Sequence, residues 1–388
     1  MRPRVLVLGI VGRTPFAGVA WQALHYVEGL RRLGCDAFYV EDTGAWAYDP
    51  ERATLTDDGA YAVRYLARLM AWAGLPDRWA YRAGGEGGRV FGLSAAAFAD
   101  LFAHADALLN VTAATVPREE HLKVPVRVYV ETDPILAQVE VAQGRAFTID
   151  FLAAHTHHFT FGENVGTRRC PIPTERFTYR PTRQPVVLDW WPAGGRPAAA
   201  PPRFTTVASW QQAGKDVEWQ GRVYAWSKHR QFLRFVDLPR RTGVTLELML
   251  AGGDAATRAM LTARGWRVGD AVPLSRDVLP YREYVLGSDA EFTVAKDQYV
   301  LPRSGWFSDR SACYLAAGKP VVTQDTGFGD LLPTGRGLFA FESMDDILAA
   351  LEAIAGDPAG HARAAVEIAA EFFDARRVLG RLLAETGL

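Results

Sequence analysis

Cysteine is scarce in this chain, which has three cysteines among 388 residues. Cys35, Cys170 and Cys313 lie far apart, with no Cys-x-x-Cys pair and no spacing typical of metal ligands. Scattered cysteines fit a reducing compartment better than a disulfide framework. We therefore expect a cytoplasmic protein without disulfide bonds.

An excess of charge of one sign is also missing, because 43 Lys and Arg residues face 44 Asp and Glu residues. The net charge of −1 gives no basic surface for nucleic acid, and we expect no nucleic-acid partner. The apolar run in MRPRVLVLGIVGRTPF is too short to span a bilayer and lacks a convincing signal-peptidase site. We expect a buried first strand there and no stable membrane insertion.

Several catalytic and metal-binding motifs are absent as well. The sequence has no G-x-S-x-G elbow, no P-loop and no paired-carboxylate glycosidase pattern. His155, His157 and His158 lie on a predicted strand, where neighbouring side chains point to opposite faces. Because no carboxylate or cysteine set stands at a usual distance, we expect no metal site.

The first glycine-rich loop, GIVGRTPFAG, can be compared with the glycine motif that binds a nicotinamide cofactor. Gly9 and Gly12 are present, but the G-x-G-x-x-G triple of a dinucleotide fingerprint is not. Glu41 and Asp42 end the next predicted strand, so a nicotinamide oxidoreductase stays open as an alternative. A loop of small residues can also approach a substrate closely. Gly12, Arg13 and Thr14 are therefore candidate contacts for a sugar or an acceptor.

Strands and helices alternate through most of the chain. The run RVLVLGI is apolar throughout, as in a strand buried on both faces, and helix VAWQALHYVEGLRRLG and strand DAFYVED follow it. A second alternation begins at FTTVASW, after a stretch rich in Pro and Gly. The pattern predicts an α/β protein with two Rossmann-like, doubly wound domains that face a cleft.

The stretch rich in Pro and Gly sets the predicted domain boundaries. Residues 1–180 form the N-terminal domain, 181–202 the linker and 203–370 the C-terminal domain. Residues 371–388 form a helix that can cross back to the N-terminal domain. Parallel sheets bind ligands at the carboxyl ends of their strands, so the loops at those ends should line the cleft.

The stretch LPRSGWFSDRSACYLAAGKPVVTQDTGF contains Ser-Asp-Arg before a helix, a Gly-Lys-Pro break, a short strand and a Thr-Gly loop. It resembles the nucleotide-sugar-binding signature of retaining glycosyltransferases with the GT-B fold, in glycosyltransferase family 4. It is especially similar to the branch that shares its C-terminal domain with spore-maturation-protein-like glycosyltransferases. The resemblance covers the C-terminal half well and the N-terminal half only in architecture.

This resemblance implies a glycosyltransferase that moves a sugar from a nucleoside-diphosphate sugar to an acceptor hydroxyl or another nucleophile. The N-terminal domain would hold a small-molecule or glycan acceptor, and the C-terminal domain would hold the nucleotide sugar. The reaction would need no metal and no cofactor beyond the donor, and would retain the anomeric configuration. A nucleotide-sugar epimerase of the same fold and a non-catalytic sugar- or nucleotide-binding protein remain the alternatives.

Candidate diphosphate contacts follow from the same resemblance. The helix that starts after Ser308 offers free backbone N–H groups and the positive end of its dipole, and Arg310 adds a charged donor. Lys228 with Ser227 opens another helix, where a cation is unfavourable unless it has a ligand. Gly252 ends a strand at a place where a nucleotide can pass close to the backbone.

One position departs from the resembled family, whose members usually carry a ribose-binding Glu on this helix. Cys313 stands there, and a thiol accepts hydrogen bonds weakly. Asp309 lies one helical turn earlier on the same face and is expected to replace the Glu. Its other interpretation is a helix cap or a partner of the dipole.

The remaining candidates concern the sugar and proton transfer. Lys296 and Tyr299 follow the predicted strand AEFTVAK and can line the sugar pocket. Glu131 and Asp133, in YVETDP, end a strand beside the cleft, where a carboxylate can take the proton of an acceptor hydroxyl. They are the candidate catalytic residues.

Overall fold

The N-terminal half of the chain forms an eight-stranded sheet. A computed structural model describes residues 2–84, 88–194 and 201–388, so the predicted linker lies partly outside the described residues. In this half the strands are β1 (Arg4–Leu8), β2 (Asp36–Glu41), β3 (Ala47–Asp49), β4 (Thr54–Thr56), β5 (Trp79–Arg82), β6 (Val90–Gly92), β7 (Ala107–Val111), β8 (Val126–Glu131), β9 (His157–Thr160) and β10 (Arg180–Pro181).

The sheet order is β10-β9-β8-β7-β1-β2-β5-β6, and every pair is parallel except β5 with β6. Its central strands are apolar and have helices on both faces, as the near-continuous apolar run of β1 predicts. The helices of this half are α1 (Ala17–Arg32), α2 (Ala60–Trp72), α3 (Ala95–His104), α4 (Glu119–Leu122), α5 (Leu136–Ala142) and α6 (Ala146–Ala153), with a 3₁₀ helix at Leu188–Trp190.

The C-terminal half forms a six-stranded, fully parallel sheet in the order β15-β14-β11-β16-β17-β18. Its strands are β11 (Arg203–Ser209), β12 (Val217–Trp219), β13 (Arg222–Tyr224), β14 (Thr245–Ala251), β15 (Arg267–Asp270), β16 (Ala290–Thr293), β17 (Val321–Gln324) and β18 (Leu338–Phe341). The helices are α7 (His229–Arg234), α8 (Ala255–Ala263), α9 (Ala271–Ser275), α10 (Val278–Leu286), α11 (Asp297–Val300), α12 (Asp309–Ala316), α13 (Met344–Gly356), α14 (Pro358–Phe372) and α15 (Ala375–Thr386), with 3₁₀ turns at Leu238–Arg240 and Phe328–Asp330.

The predicted fold class is confirmed, since each half is a wound sheet of mainly parallel strands. The sequence interpretation missed two short antiparallel hairpins, β3-β4 and β12-β13. The turn of the second hairpin is Gln220-Gly221, and both residues have positive φ (51° and 74°). A two-residue turn of this kind matches the twist of the strands it joins, so the dipeptide was a usable signal.

Helix α1 lies between the two halves and joins their cores. The Trp21 and Trp191 rings pack with their centroids 4.8 Å apart, and the Trp21 indole N–H donates to the carbonyl of Val278 at 3.2 Å. His25 is buried beside them, and burial together with the nearby Arg32 lowers its pKa to about 3. It is therefore neutral at physiological pH and acts as part of the core.

Helix α15, at the end of the chain, packs against α1 of the N-terminal half. A Cβ placed on Gly29 would lie 2.5 Å from Leu379 Cδ1 and 3.0 Å from the Cβ of Ala375. Close contact between the two helices therefore depends on a glycine at this position. The domain boundaries at residues 180, 203 and 371 themselves stay a prediction. None of the described helices is both long enough and apolar enough to cross a membrane.

We expect Gly29→Ala to destabilise the protein by about 1 kcal/mol or more, because the new methyl group overpacks the contact with α15. Gly18→Ala is the matched control in the same helix, since a Cβ there has no neighbour within 4 Å. It should leave stability unchanged or raise it by up to about 1 kcal/mol through helix propensity. Thermal unfolding followed by circular dichroism measures both. Equal shifts in the two variants would contradict this account of α15 docking.

Candidate active site

Two strand ends from opposite domains meet in the cleft. Asp133 follows β8, while Lys296 and Tyr299 follow β16. Lys296 Nζ lies 3.1 Å from Asp133 Oδ1 and 3.1 Å from the Tyr299 hydroxyl oxygen, and the Tyr299 hydroxyl donates to the same carboxylate oxygen. The structure therefore brings together three of the candidate residues, one of them from the other side of the cleft.

Aromatic rings hold this group in place. The Lys296 ammonium lies 3.0 Å from the centroid of the Trp226 ring, and the Lys215 ammonium lies 4.7 Å from it. Trp306 stacks on Tyr299 at 4.2 Å between centroids and donates its indole N–H to the carbonyl of Thr132 at 2.9 Å. A cation over a tryptophan face is attracted by the ring quadrupole. Trp226 therefore orients Lys296, although the sequence interpretation did not single it out.

The protonation states in this group follow from burial and from neighbouring charge. Burial lowers the pKa of Lys296 to about 8, against the opposing effect of Asp133. Burial disfavours the charge of Asp133, but Lys296 and Tyr299 outweigh it and hold the pKa of Asp133 below its usual value. The Asp133 side chain is still 41% exposed. It is therefore an ionised carboxylate that a ligand can reach.

Lys228 lies in the same part of the cleft, with only 9% of its surface exposed. Its side chain has no hydrogen bond and no ion pair with any residue in the described ranges. Burial lowers its pKa well below the usual value, and the positive charges of Arg310 and Lys296 lower it further. A buried lysine without a counter-ion is costly unless an anion binds there.

The other predicted diphosphate contacts are placed differently. Arg310 donates to Glu291 Oε1 at 2.5 Å, to the carbonyl of Val207 at 2.6 Å and to Thr293 Oγ1 at 2.9 Å. Its guanidinium thus pairs with a carboxylate of β16. Its N–H groups are engaged within the protein, so Arg310 can favour an anion through its positive charge but offers no free hydrogen-bond donor. The acidic residue inside the apolar run AEFTVAK was the signal for this pair, and the sequence interpretation did not use it.

Three further candidates differ in whether their polar groups are free to bind a ligand. Ser308 caps the N-terminus of α12 with extended backbone, and its hydroxyl makes no capping bond. Ser227 is occupied, because its hydroxyl donates to the carbonyl of Gln212 and accepts from the same residue's N–H, both at 2.8 Å. Gly252 directly follows β14 and has a φ of 72°, a conformation that favours glycine.

Asp309 and Cys313 lie on the face of α12 that meets α1. Gln22 donates to Asp309 Oδ1 at 3.2 Å, and Cys313 Sγ lies 3.8 Å from His25 Nε2. Burial and, to a smaller extent, the charge of Asp133 raise the pKa of Asp309 to about 7, against the hydrogen bond from Gln22. The expected role of Asp309 in ribose binding stays a prediction.

Glu131, the other candidate base, is enclosed within the N-terminal domain and only 2% exposed. It accepts hydrogen bonds from Gln138, from the Thr160 hydroxyl at 2.6 Å and from the Tyr129 hydroxyl at 3.1 Å. Burial raises its pKa to about 7. These contacts fix the loop after β8, so that Asp133, and not Glu131, is the carboxylate presented to the cleft.

The backbone N–H groups of the first loop already bond a carboxyl group of the protein itself. The Glu41 carboxylate accepts the backbone N–H groups of Gly12 and Arg13, both at 2.6 Å, and the hydroxyl of Tyr39 at 2.8 Å. In a dinucleotide-binding protein the N–H groups of this loop would face the pyrophosphate. Their occupation by Glu41 argues against a nicotinamide cofactor. Thr14 follows in the same loop, where its N–H bonds the carbonyl of Ile10.

One group in the described part of the chain has the composition of a metal site: Asp42, Glu120 and His121. Arg82 pairs with both carboxylates, and Arg118 pairs with Asp42. The guanidinium groups already neutralise these carboxylates, so the donor set does not fit a cation.

No family model and no curated protein matches this sequence. Among solved structures, an alpha-glucosyltransferase in complex with UDP-glucose and DNA containing an abasic site aligns over the full length of both chains, with a TM-score of 0.59 and 10% identity. A sucrose-phosphate synthase from Thermosynechococcus elongatus aligns over 99% of each chain (TM-score 0.55, 11% identity). Anabaena Alr3699/HepE, solved with UDP and glucose, aligns over 99% of this chain and all of its own (TM-score 0.54, 13% identity).

These likenesses show that the chain has the GT-B fold, the two-domain architecture of many glycosyltransferases. At such low sequence identity the comparisons support the fold and nothing more specific. The narrower resemblance to family 4 and the spore-maturation branch stays a prediction, as does the expectation that nucleic acid is no partner.

Asp309 makes a testable contribution to the pH dependence of stability. Its pKa is about 7 in the folded chain and 3.8 when unperturbed, so between these values the folded state keeps a proton that the unfolded state loses. This contribution is full at low pH and is lost as pH rises through 7. Asp309→Asn should therefore gain stability over the wild type between about pH 4 and 7, by up to about 1.4 kcal/mol per pH unit.

Urea unfolding at a series of pH values measures this difference. Asp57→Asn, at an exposed aspartate, is the control and should follow the wild-type curve. A constant offset between Asp309→Asn and wild type across this range would show that Asp309 is ionised in the fold throughout.

Proposed function

We propose that the protein is a glycosyltransferase that transfers a sugar from a nucleoside-diphosphate sugar to an acceptor hydroxyl or another nucleophile. Two of its structural neighbours were solved with UDP-glucose or with UDP and glucose, which supports a nucleotide-sugar donor for this chain as well. The observation that carries the proposal is the buried, unpaired ammonium of Lys228. The positive charges of Lys296 and Arg310 act on the same ammonium, so this part of the cleft is suited to an anion.

The diphosphate of the donor is the proposed anion. Its charge would be balanced by Lys228 and Lys296, and backbone N–H groups at the start of α12 would donate to its oxygens. Groups that bind the diphosphate also stabilise the charge that develops on it as the bond to the sugar breaks. The lysine side chains would neutralise the diphosphate, as a divalent cation does in metal-dependent enzymes. We therefore propose a metal-independent reaction.

Asp133 is the proposed base. In the ligand-free cleft it pairs with Lys296, and a bound diphosphate would draw Lys296 away and leave the carboxylate unpaired. The acceptor oxygen then bonds to the anomeric carbon, the bond from that carbon to the diphosphate oxygen breaks, and the hydroxyl proton passes to Asp133. The nucleoside diphosphate leaves with the electron pair. Retention of configuration, implied by the sequence resemblance, is tested by the anomeric coupling constant of the product.

Lys228→Met should weaken nucleoside-diphosphate binding by about tenfold to a hundredfold, the effect of losing a charged hydrogen bond. The same change should raise the melting temperature of the free protein, because it removes a buried charge among like charges. Calorimetry with UDP, GDP and dTDP and thermal unfolding give the two readouts. Lys123→Met, at an exposed lysine, is the control. Unchanged affinity for the nucleotide that binds the wild type would overturn the proposed donor site.

Asp133→Asn should lower the rate of sugar transfer by about a hundredfold to ten-thousandfold, the usual contribution of a general base. Donor affinity should stay the same or increase, because Lys296 loses a competing carboxylate. Single-turnover transfer and nucleotide calorimetry separate the two effects, with Asp57→Asn as the control. Transfer by Asp133→Asn at the wild-type rate would show that Asp133 is not the base. If the protein is an epimerase, it should invert a carbon of the donor sugar when no acceptor is present.

A further inference from the structure

A second cavity lies beside the cleft, between helices α5 and α6 of the N-terminal domain and the hairpin β12-β13 of the C-terminal domain. Its volume is about 860 Å³, within the range of small-molecule binding sites. The side-chain amide of Gln143 on one wall donates to the carbonyl of Glu218 on the other at 3.0 Å. Both domains therefore build this cavity, as expected for a site that works only when the cleft is formed.

The cavity adjoins the proposed reaction centre. Helix α5, on one wall, begins at Leu136, shortly after Asp133 in the chain. On the other wall, the Asp216 carboxylate accepts the backbone N–H of Trp226 at 2.7 Å, and the Trp226 ring supports Lys296. A molecule bound in the cavity would thus lie next to the carboxylate and the cation that we assign to the transfer step.

The charges lining the cavity are mainly negative. Three carboxylates, those of Glu140, Asp216 and Glu218, face a single guanidinium, that of Arg145. Glu140 accepts a hydrogen bond from Thr148 at 2.6 Å, but within the described ranges none of the three carboxylates is part of an ion pair. The cavity is therefore opposite in charge to the neighbouring positive cluster, which consists of Lys215, Lys228, Lys296 and Arg310.

Aromatic side chains also line the cavity, beside these charged groups. Phe147 is 69% exposed at the edge of the cavity and stacks on Phe151, with centroids 6.3 Å apart. Trp219 lines the hairpin wall, and its buried indole nitrogen has no hydrogen-bond partner among the residues that the structure describes. Flat aromatic faces pack against ring-shaped ligands, and a buried free donor favours a ligand or water oxygen.

We propose that this cavity binds the acceptor, and that the acceptor is a polyhydroxylated ring that carries protonated amines. The inference rests on the proposed glycosyltransferase function and specifies its second substrate. Ammonium groups would pair with Glu140 and Glu218, and the face of the ring would pack on the aromatic side chains. A hydroxyl would then lie toward Asp133. The two substrates are separated by charge, since the anionic donor meets the lysines and the cationic acceptor meets the carboxylates.

The probe is 2-deoxystreptamine, a cyclitol with two amines, and its matched control ligand is the di-N-acetyl derivative, which keeps the hydroxyls and loses the charge. Calorimetry on the full chain saturated with UDP should show binding of the diamine at least about tenfold tighter than binding of the derivative. The difference should shrink as salt is added, because charge pairing at a partly open site is screened.

Glu218→Gln removes one carboxylate that has no side-chain hydrogen bond in the described structure. It should weaken binding of the diamine about tenfold and leave binding of the derivative unchanged. Glu352→Gln, at an exposed glutamate on α13, is the control and should behave as wild type. Equal affinity for both ligands, absence of diamine binding, or an unchanged diamine affinity in Glu218→Gln would each overturn the acceptor proposal.

The same titrations separate this inference from the function on which it rests. Failure of wild-type protein to bind any of UDP, GDP or dTDP overturns the donor site and with it the glycosyltransferase proposal. Nucleotide binding without diamine binding overturns only the class of acceptor. If another nucleotide binds in place of UDP, the diamine is titrated in its presence.

Discussion

The contact of Lys296 with Asp133 and Trp226 is the interaction on which the organisation of the cleft depends. It joins the end of β8 in one domain to the end of β16 in the other. Each partner alters the other's protonation: the aspartate stabilises the charge of a buried ammonium, and the ammonium keeps the aspartate ionised. A ligand with two negative charges can compete for the same lysine. The proposed base and the proposed phosphate-binding cation are therefore paired with each other across the cleft.

Around this contact the fold distributes charge asymmetrically. Lys228 has no ion pair among the described residues, and the carboxylates that act on its charge are already paired, Glu291 with Arg310 and Asp133 with Lys296. The cavity between α5, α6 and the β12-β13 hairpin is lined by three carboxylates that form no ion pair within the described ranges. Unpaired charge in partly buried places costs stability, and such costs are concentrated where a ligand repays them. The arrangement thus gives both proposed substrates complementary charge before either one binds.

The comparisons show how little of this architecture depends on sequence identity. Neighbours with 10% to 13% identity share the full length of the fold. What persists is the order of parallel strands, which brings the carboxyl ends of both sheets to one cleft. The side chains at those ends decide which ligand the cleft accepts. Cys313 illustrates this, since the helix position expected to bind ribose instead packs beside His25 of α1.

The two wound sheets could be predicted from the amino-acid sequence, because apolar runs and helical periodicity are local signals. It also predicted Asp133, Lys228, Lys296 and Tyr299 as site residues through their places after strands or at a helix start, and their roles stay predictions. Tertiary structure alone decided which of these residues meet, since Lys296 and Asp133 are far apart in the chain. It also decided that Arg310 and Glu131 are engaged within their own domains. Burial, counter-ions and free donors depend on groups brought together by folding, so no local pattern contains them.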